Sequence, residues 1–105
     1  MNAVRGEAVL LVDGSERVLR PSFDALVRAE EELGPLFALV ERAGEGQLRL
    51  AEIAGLFWHC LADRPGNLQD GLSRERVGEA VLAMGLAEAA KPLRVLLGEI
   101  LRGKE

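Results

Sequence analysis

The segment "RVLRPSFDAL", residues 17 to 26, limits the fold more than any other stretch, because two backbone regimes meet inside it with no linker. Pro21 forces Arg20 into an extended conformation and cannot itself donate to a sheet ladder, so a strand arriving through Val18 and Leu19 ends there. Ser22 offers a hydroxyl to the free amides of the next turn, and Asp24 sets a negative charge at the positive end of the same helix. A strand stop joined directly to a helix start fixes the angle between the two elements.

The segment before this junction reads as a β-hairpin. "EAVLLV", residues 7 to 12, is β-rich, Asp13-Gly14 supplies the positive φ angles of a tight turn, and Arg17 to Leu19 forms a second short run. Ser15 and Glu16 leave room for a loop of about three or four residues. Two strands alone are marginal in water, so the hairpin must lay its apolar face on helices.

The chain beyond Pro21 reads as helical. The first helix is expected from about Phe23 to Leu33, with Gly34 as terminator and Pro35 opening a short second helix from Leu36 to Ala43. "LRLAEIAGLFWHCLAD" repeats apolar residues at Leu50, Ile53, Ala54, Phe57 and Leu61. "DRPGNLQDGLS" is the one long loop and ends at Ser73, a cap for a helix from about Arg74 to Met84. The last stretch, Leu86 to Arg102, contains Pro92, which is expected to kink or restart it. The sum is an α+β, mainly helical fold, an N-terminal hairpin packed on about five short helices. It makes one domain over residues 1–105, hairpin 7–19 and helical body 22–102, and a hydrophobic content of 49% suits one core.

The net charge of −4 is spread without a basic run that could track a phosphate backbone, which argues against nucleic acid. No apolar stretch reaches the roughly 18 to 20 residues of a membrane span, and Met1 to Glu7 does not read as a signal peptide. A cytoplasmic protein is expected. Cys60 is the single cysteine, and His59 beside it is the single histidine. Helix neighbours point about 100° apart, and no further ligand stands at metal-binding spacing, so both are read as structural. Trp58 reads as core or interface. No phosphate-cradling glycine motif joins a strand to a helix, so the chain is expected to be no enzyme and to need no cofactor or metal. Gly55, Gly78 and Gly98, inside predicted helices, suggest close helix approach.

The first helix carries an apolar stripe of Phe23, Leu26, Val27 and Leu33, and the same spacing puts Glu30 on it. A carboxylate there needs a partner. Glu30 is expected to be partly buried and paired with an arginine from the hairpin, Arg20 first and Arg5 second, while Glu31 and Glu32 read as a solvated edge. At the other end, Leu93, Leu96, Leu97, Ile100 and Leu101 make a wide apolar face. Leu96 and Leu101 are the candidates for partner contact, with the 63–72 loop at the rim.

Residues 5 to 34, "RGEAVLLVDGSERVLRPSFDALVRAEEELG", resemble the start of the small phage proteins typified by gene product ten of gene transfer agents. The resemblance is carried by Arg5-Gly6-Glu7, Asp13-Gly14, Leu19-Arg20-Pro21, Phe23, Leu26, Glu30 and Leu33-Gly34. Ser22 replaces the usual threonine and keeps the cap, and Asp24 stands where glycine is frequent. That family is described both as tail tube and as tail assembly chaperone, and it implies no catalytic residues. It implies tail proteins as partners: the tape measure protein for a chaperone, and the tube subunit as well. A tube subunit closes rings, usually through a sizeable sheet, whereas this chain supplies one hairpin. The expectation is therefore a non-enzymatic tail assembly factor of a prophage or gene transfer agent that binds the tape measure. The alternative is a tube or connector component of the particle, and a homo-oligomer stays open.

Overall fold

The computed structural model describes residues 7–62 and 73–102. Strand β1 (Ala8–Val12) and strand β2 (Ser15–Leu19) pair antiparallel, with Val12 opposite Ser15, so the turn is Asp13-Gly14 alone. Both turn residues have positive φ, 52° and 80°, and that backbone matches the right-handed twist of the flanking strands. The turn is thus tighter than the longer loop that Ser15 and Glu16 would have allowed. Ala8, Leu10 and Val12 point into the core from β1 and Leu19 joins them from β2, while Val18, opposite Val9, is buried on the hairpin's other face.

The strand stop at Pro21 occurs as the sequence implies. Helix α1 (Phe23–Leu33) starts directly after it, and the Ala25 amide donates to the Ser22 hydroxyl at 3.2 Å. Gly34, at φ 97°, turns the chain into α2 (Leu36–Gly44). Helix α3 (Leu50–Cys60) comes next, then α4 (Arg74–Met84), whose Arg76 amide donates to the Ser73 hydroxyl at 3.2 Å. Helix α5 runs unbroken from Leu86 to Arg102 with Pro92 inside it, so no restart occurs. A proline deletes only one backbone bond, and the ring of Pro92 is buried, where packing offsets the loss. Among the described residues, one hairpin and five helices make the α+β, mainly helical fold expected from the sequence.

The chain leaving α3 closes one side of the hairpin. Leu61 bridges to Leu19, the Arg20 amide donates to the Cys60 carbonyl at 2.6 Å, and the Ala62 amide donates to the Val18 carbonyl at 2.9 Å. Among the described residues, the sheet has two strands. Its apolar face meets a core built around Phe57, Leu56, Cys60, Val77, Val81 and Leu96, all buried. Each large aliphatic or aromatic side chain removed from water there contributes roughly 1.5–3 kcal/mol.

Helix α1 faces this core differently from its apolar pattern. Ala25 and Ala29 are its buried residues, Leu26 and Leu33 are half-buried, and Phe23 is 83% exposed. The reason is α3. A side chain at Gly55 would come within 3.4 Å of Leu33, so the two helices lie too close for a large residue between them. Gly78 likewise faces Ala54 of α3. Gly98 does not serve helix approach: the space over it is taken by the Arg102 side chain, whose Nε donates to the Gly98 carbonyl at 3.3 Å.

Candidate functional site

Turning the small residues of α1 inward turns its large ones outward. Phe23, Val27 and Glu30 succeed one another on the outer face at helical spacing, and Glu30 stands at the mouth of a hollow beside α2. Glu30 is exposed, and its carboxylate accepts from the Leu36 amide at 3.1 Å, capping α2. The expected Glu30–Arg20 pair is not made, because Arg20 donates instead to Glu7 at the start of the hairpin. The physical reason is the rotation of α1, which aims Glu30 away from the hairpin and at the free amides of the next helix. Arg5 lies outside the described residues, as does the 63–72 loop.

Helix α2 is fastened mainly by polar contacts. Leu39 is its one fully buried residue, and the Arg42 guanidinium grips Glu52 of α3 in two-pronged fashion, at 2.9 and 2.7 Å. Glu52 also accepts from the Arg49 amide at 2.9 Å, and the Arg42 bond chiefly holds its carboxyl below the ordinary range. Held in this way, α2 stands off from α5 and leaves two adjoining hollows. One, about 210 Å³, is lined by Glu30, Leu36, Phe37, Val40, Ile100 and Leu101. The other, about 490 Å³, runs between Val40, Ala43 and Gly44 on one side and Leu93, Leu97 and Leu101 on the other. Val40 and Leu101 belong to both, so the two form one groove along α2 and α5. Phe37 at its edge is 79% exposed, and Leu101 is 55% exposed.

Leu101, one candidate for partner contact, is thus exposed at the groove. Leu96 is not: it is fully buried in the core, because the inner face of α5 runs through Ala89, Leu93, Leu96 and Leu97, and only the next residues of the stripe reach solvent. Phe37, at the groove's rim, was not singled out from the sequence. Its signal was an aromatic residue in a helix too short to bury both faces.

A second cluster joins three helices. Glu32 of α1 accepts two bonds from Arg74 of α4, one of them 2.7 Å long, and lies 2.8 Å from the Nε2 of His59 in α3. Nε2 then carries the proton and donates to Glu32, which leaves the buried Nδ1 of His59 without a partner. The Arg74 bond above all, and the His59 bond after it, hold the Glu32 carboxyl at about 2 against an ordinary 4.5. Such a carboxylate stays ionised near neutrality, so it can clamp helices and cannot exchange protons there. Burial pushes the Cys60 thiol up to about 12, which keeps it in its unreactive form. Among the described residues, no group of His, Cys, Asp and Glu side chains gathers as metal ligands would. No helix among the described residues is long and apolar enough to cross a membrane.

The family described as phage tail tube protein, GTA-gp10, matches residues 5–103. Neither the curated proteins nor the solved structures contain a match.

Proposed function

Because the chain belongs to the phage tail tube protein, GTA-gp10 family, we propose that it is a non-enzymatic tail morphogenesis factor binding an apolar helical segment of the tape measure protein. The observation that carries this reading is the open apolar groove between α2 and α5, rimmed by Phe37 and Leu101. An amphipathic helix laid in such a groove buries apolar side chains at helical spacing on both partners. The protein would act in the bacterial cytoplasm, before the tube polymerises around its ruler.

Sheet geometry supports the assembly role over that of a tube subunit. To build a ring through its sheets, a subunit must offer two open edges, one for each neighbour. Here the end of the outer edge of β2 at Val18 and Arg20 is already bonded to Cys60 and Ala62, which hinders head-to-tail linking of the hairpins. The family's own description favours the second reading, a structural component of the tail.

Co-expression with the tape measure protein from the same gene cluster tests the first reading. Soluble tape measure should rise with the unmodified chain and fall back with Phe37→Glu, a change at an exposed site that leaves the core intact. Unchanged solubility would count against it. Mass spectrometry of purified particles separates the two, since a tube subunit must be present in stoichiometric amount and a chaperone need not be.

A further inference from the structure

Among the described residues, the outer edge of β2 is bonded at its end, through Val18 and Arg20, and the outer edge of β1 is open. With Val12 and Ser15 as the closing pair, ladder bonds alternate so that Ala8, Leu10 and Val12 face β2, while the peptide groups of Val9 and Leu11 face outward. The other strand checks this assignment: Val18, opposite Val9, also has its peptide turned outward, and its carbonyl accepts from Ala62. Nothing in the described chain does the same for Val9 or Leu11. Beside the turn end of β1 lies an open hollow of about 400 Å³, bordered by Leu11, Asp13, Ala80, Ala83 and Met84.

Exposed edges are normally guarded by charge, proline, a bulge or a covering segment. The strand "AVLLV" has no charged residue and no proline, and its register runs without interruption. Leu11, on the outer face, is 55% exposed. We propose that two copies of this chain join through the open edges of β1, antiparallel and about a two-fold axis at Leu10. In that register, Val9 of one copy and Leu11 of the other exchange both backbone bonds, and their side chains pair on the outer face. All five residues of each β1 are matched.

The charges at the ends do not bar a second copy, because the arginine beside each acid offsets the like-charge contact. The register sets Glu7 of one copy opposite Asp13 of the other, and each is already ion-paired within its own copy, Glu7 to Arg20 and Asp13 to Arg76. The two acids thus meet with their guanidinium groups beside them. A joint of this kind is closed by its two-fold axis, and on its far sides the end of each β2 edge at Val18 and Arg20 is already bonded to Cys60 and Ala62.

Sedimentation equilibrium of the full chain, from micromolar to millimolar, combined with amide exchange followed by NMR, tests the proposal. A reversible dimer is expected, in which the Val9 and Leu11 amides gain protection as concentration rises. Leu11→Pro removes an outward N–H and no bond to β2, and should weaken the dimer by at least about tenfold. Leu11→Lys, which keeps the N–H and adds an edge charge, should also weaken it. A chain that stays monomeric at millimolar concentration would overturn the proposal. So would a dimer in which Val9 and Leu11 exchange as fast as in the monomer, or one that Leu11→Pro leaves unchanged with the hairpin intact. If Leu11→Pro fails to fold, exchange in the unmodified chain decides alone.

Discussion

Helices α3 and α2 are neighbours in sequence and opposites in physics. Seven of the eleven residues of α3 are buried, and small residues, Gly55 and Ala54, stand at its contacts with α1 and α4. In α2 one residue of nine is fully buried, and the Arg42–Glu52 grip and the Glu30 cap at Leu36 do much of the holding. An apolar anchor gains from every atom it hides, so it draws elements into contact. Polar tethers need only a few atoms at hydrogen-bond distance and leave the remaining surface free. The difference teaches where this molecule leaves apolar surface unused: on the tethered side, whose Phe37 has not been used to build the core.

The strongest way to break the comparison is to truncate one phenylalanine on each side. Phe57→Ala in α3 should cost about 3–5 kcal/mol in denaturant unfolding, whereas Phe37→Ala in α2 should stay within about 0.5 kcal/mol. Equal losses would mean that α2 belongs to the core after all. Next in size is the tether. Arg42→Ala should cost about 1 kcal/mol and raise amide exchange in α2 more than in α3.

The Glu32 clamp gives a smaller effect with a pH signature. Its folded value lies below its unfolded one, so its stabilisation is present above pH 4.5 and fades as pH falls toward about 2. Glu32→Gln should lower neutral-pH stability by about 1 kcal/mol or less, given solvent screening, and flatten the acid decline in thermal melts. The smallest effect sharpens the α3–α4 contact. A methyl at Gly78 would sit 3.7 Å from Ala54, an ordinary contact, so Gly78→Ala should gain about 0.5 kcal/mol in the same unfolding assay.

Legibility in the sequence divides along the same line, between local and distant causes. The hairpin turn, the Pro21 stop and the Ser22 and Ser73 caps are decided by neighbours within a few residues, and each stands as expected. Which face α1 would bury was not legible, because a large stripe at Phe23 and Val27 competed with a small one at Ala25 and Ala29. The small one won through the close packing of α3, far along the chain, whose Gly55 faces Leu33. Glu32 was hidden for the same reason, its partners lying 27 and 42 residues away. On α5, periodicity marked Leu96 and Leu101 alike, and only the assembled core separates the buried one from the exposed one.

On the proposed function, a tail partner docks in the groove between α2 and α5. Hydrogen exchange of the full chain, alone and co-purified with its tape measure protein, tests it most directly. The account predicts slowed exchange confined to α2 and to the C-terminal turns of α5, around Phe37, Val40 and Leu101. A stable complex in which these segments exchange unchanged, while protection falls on α3 or α4, would contradict it.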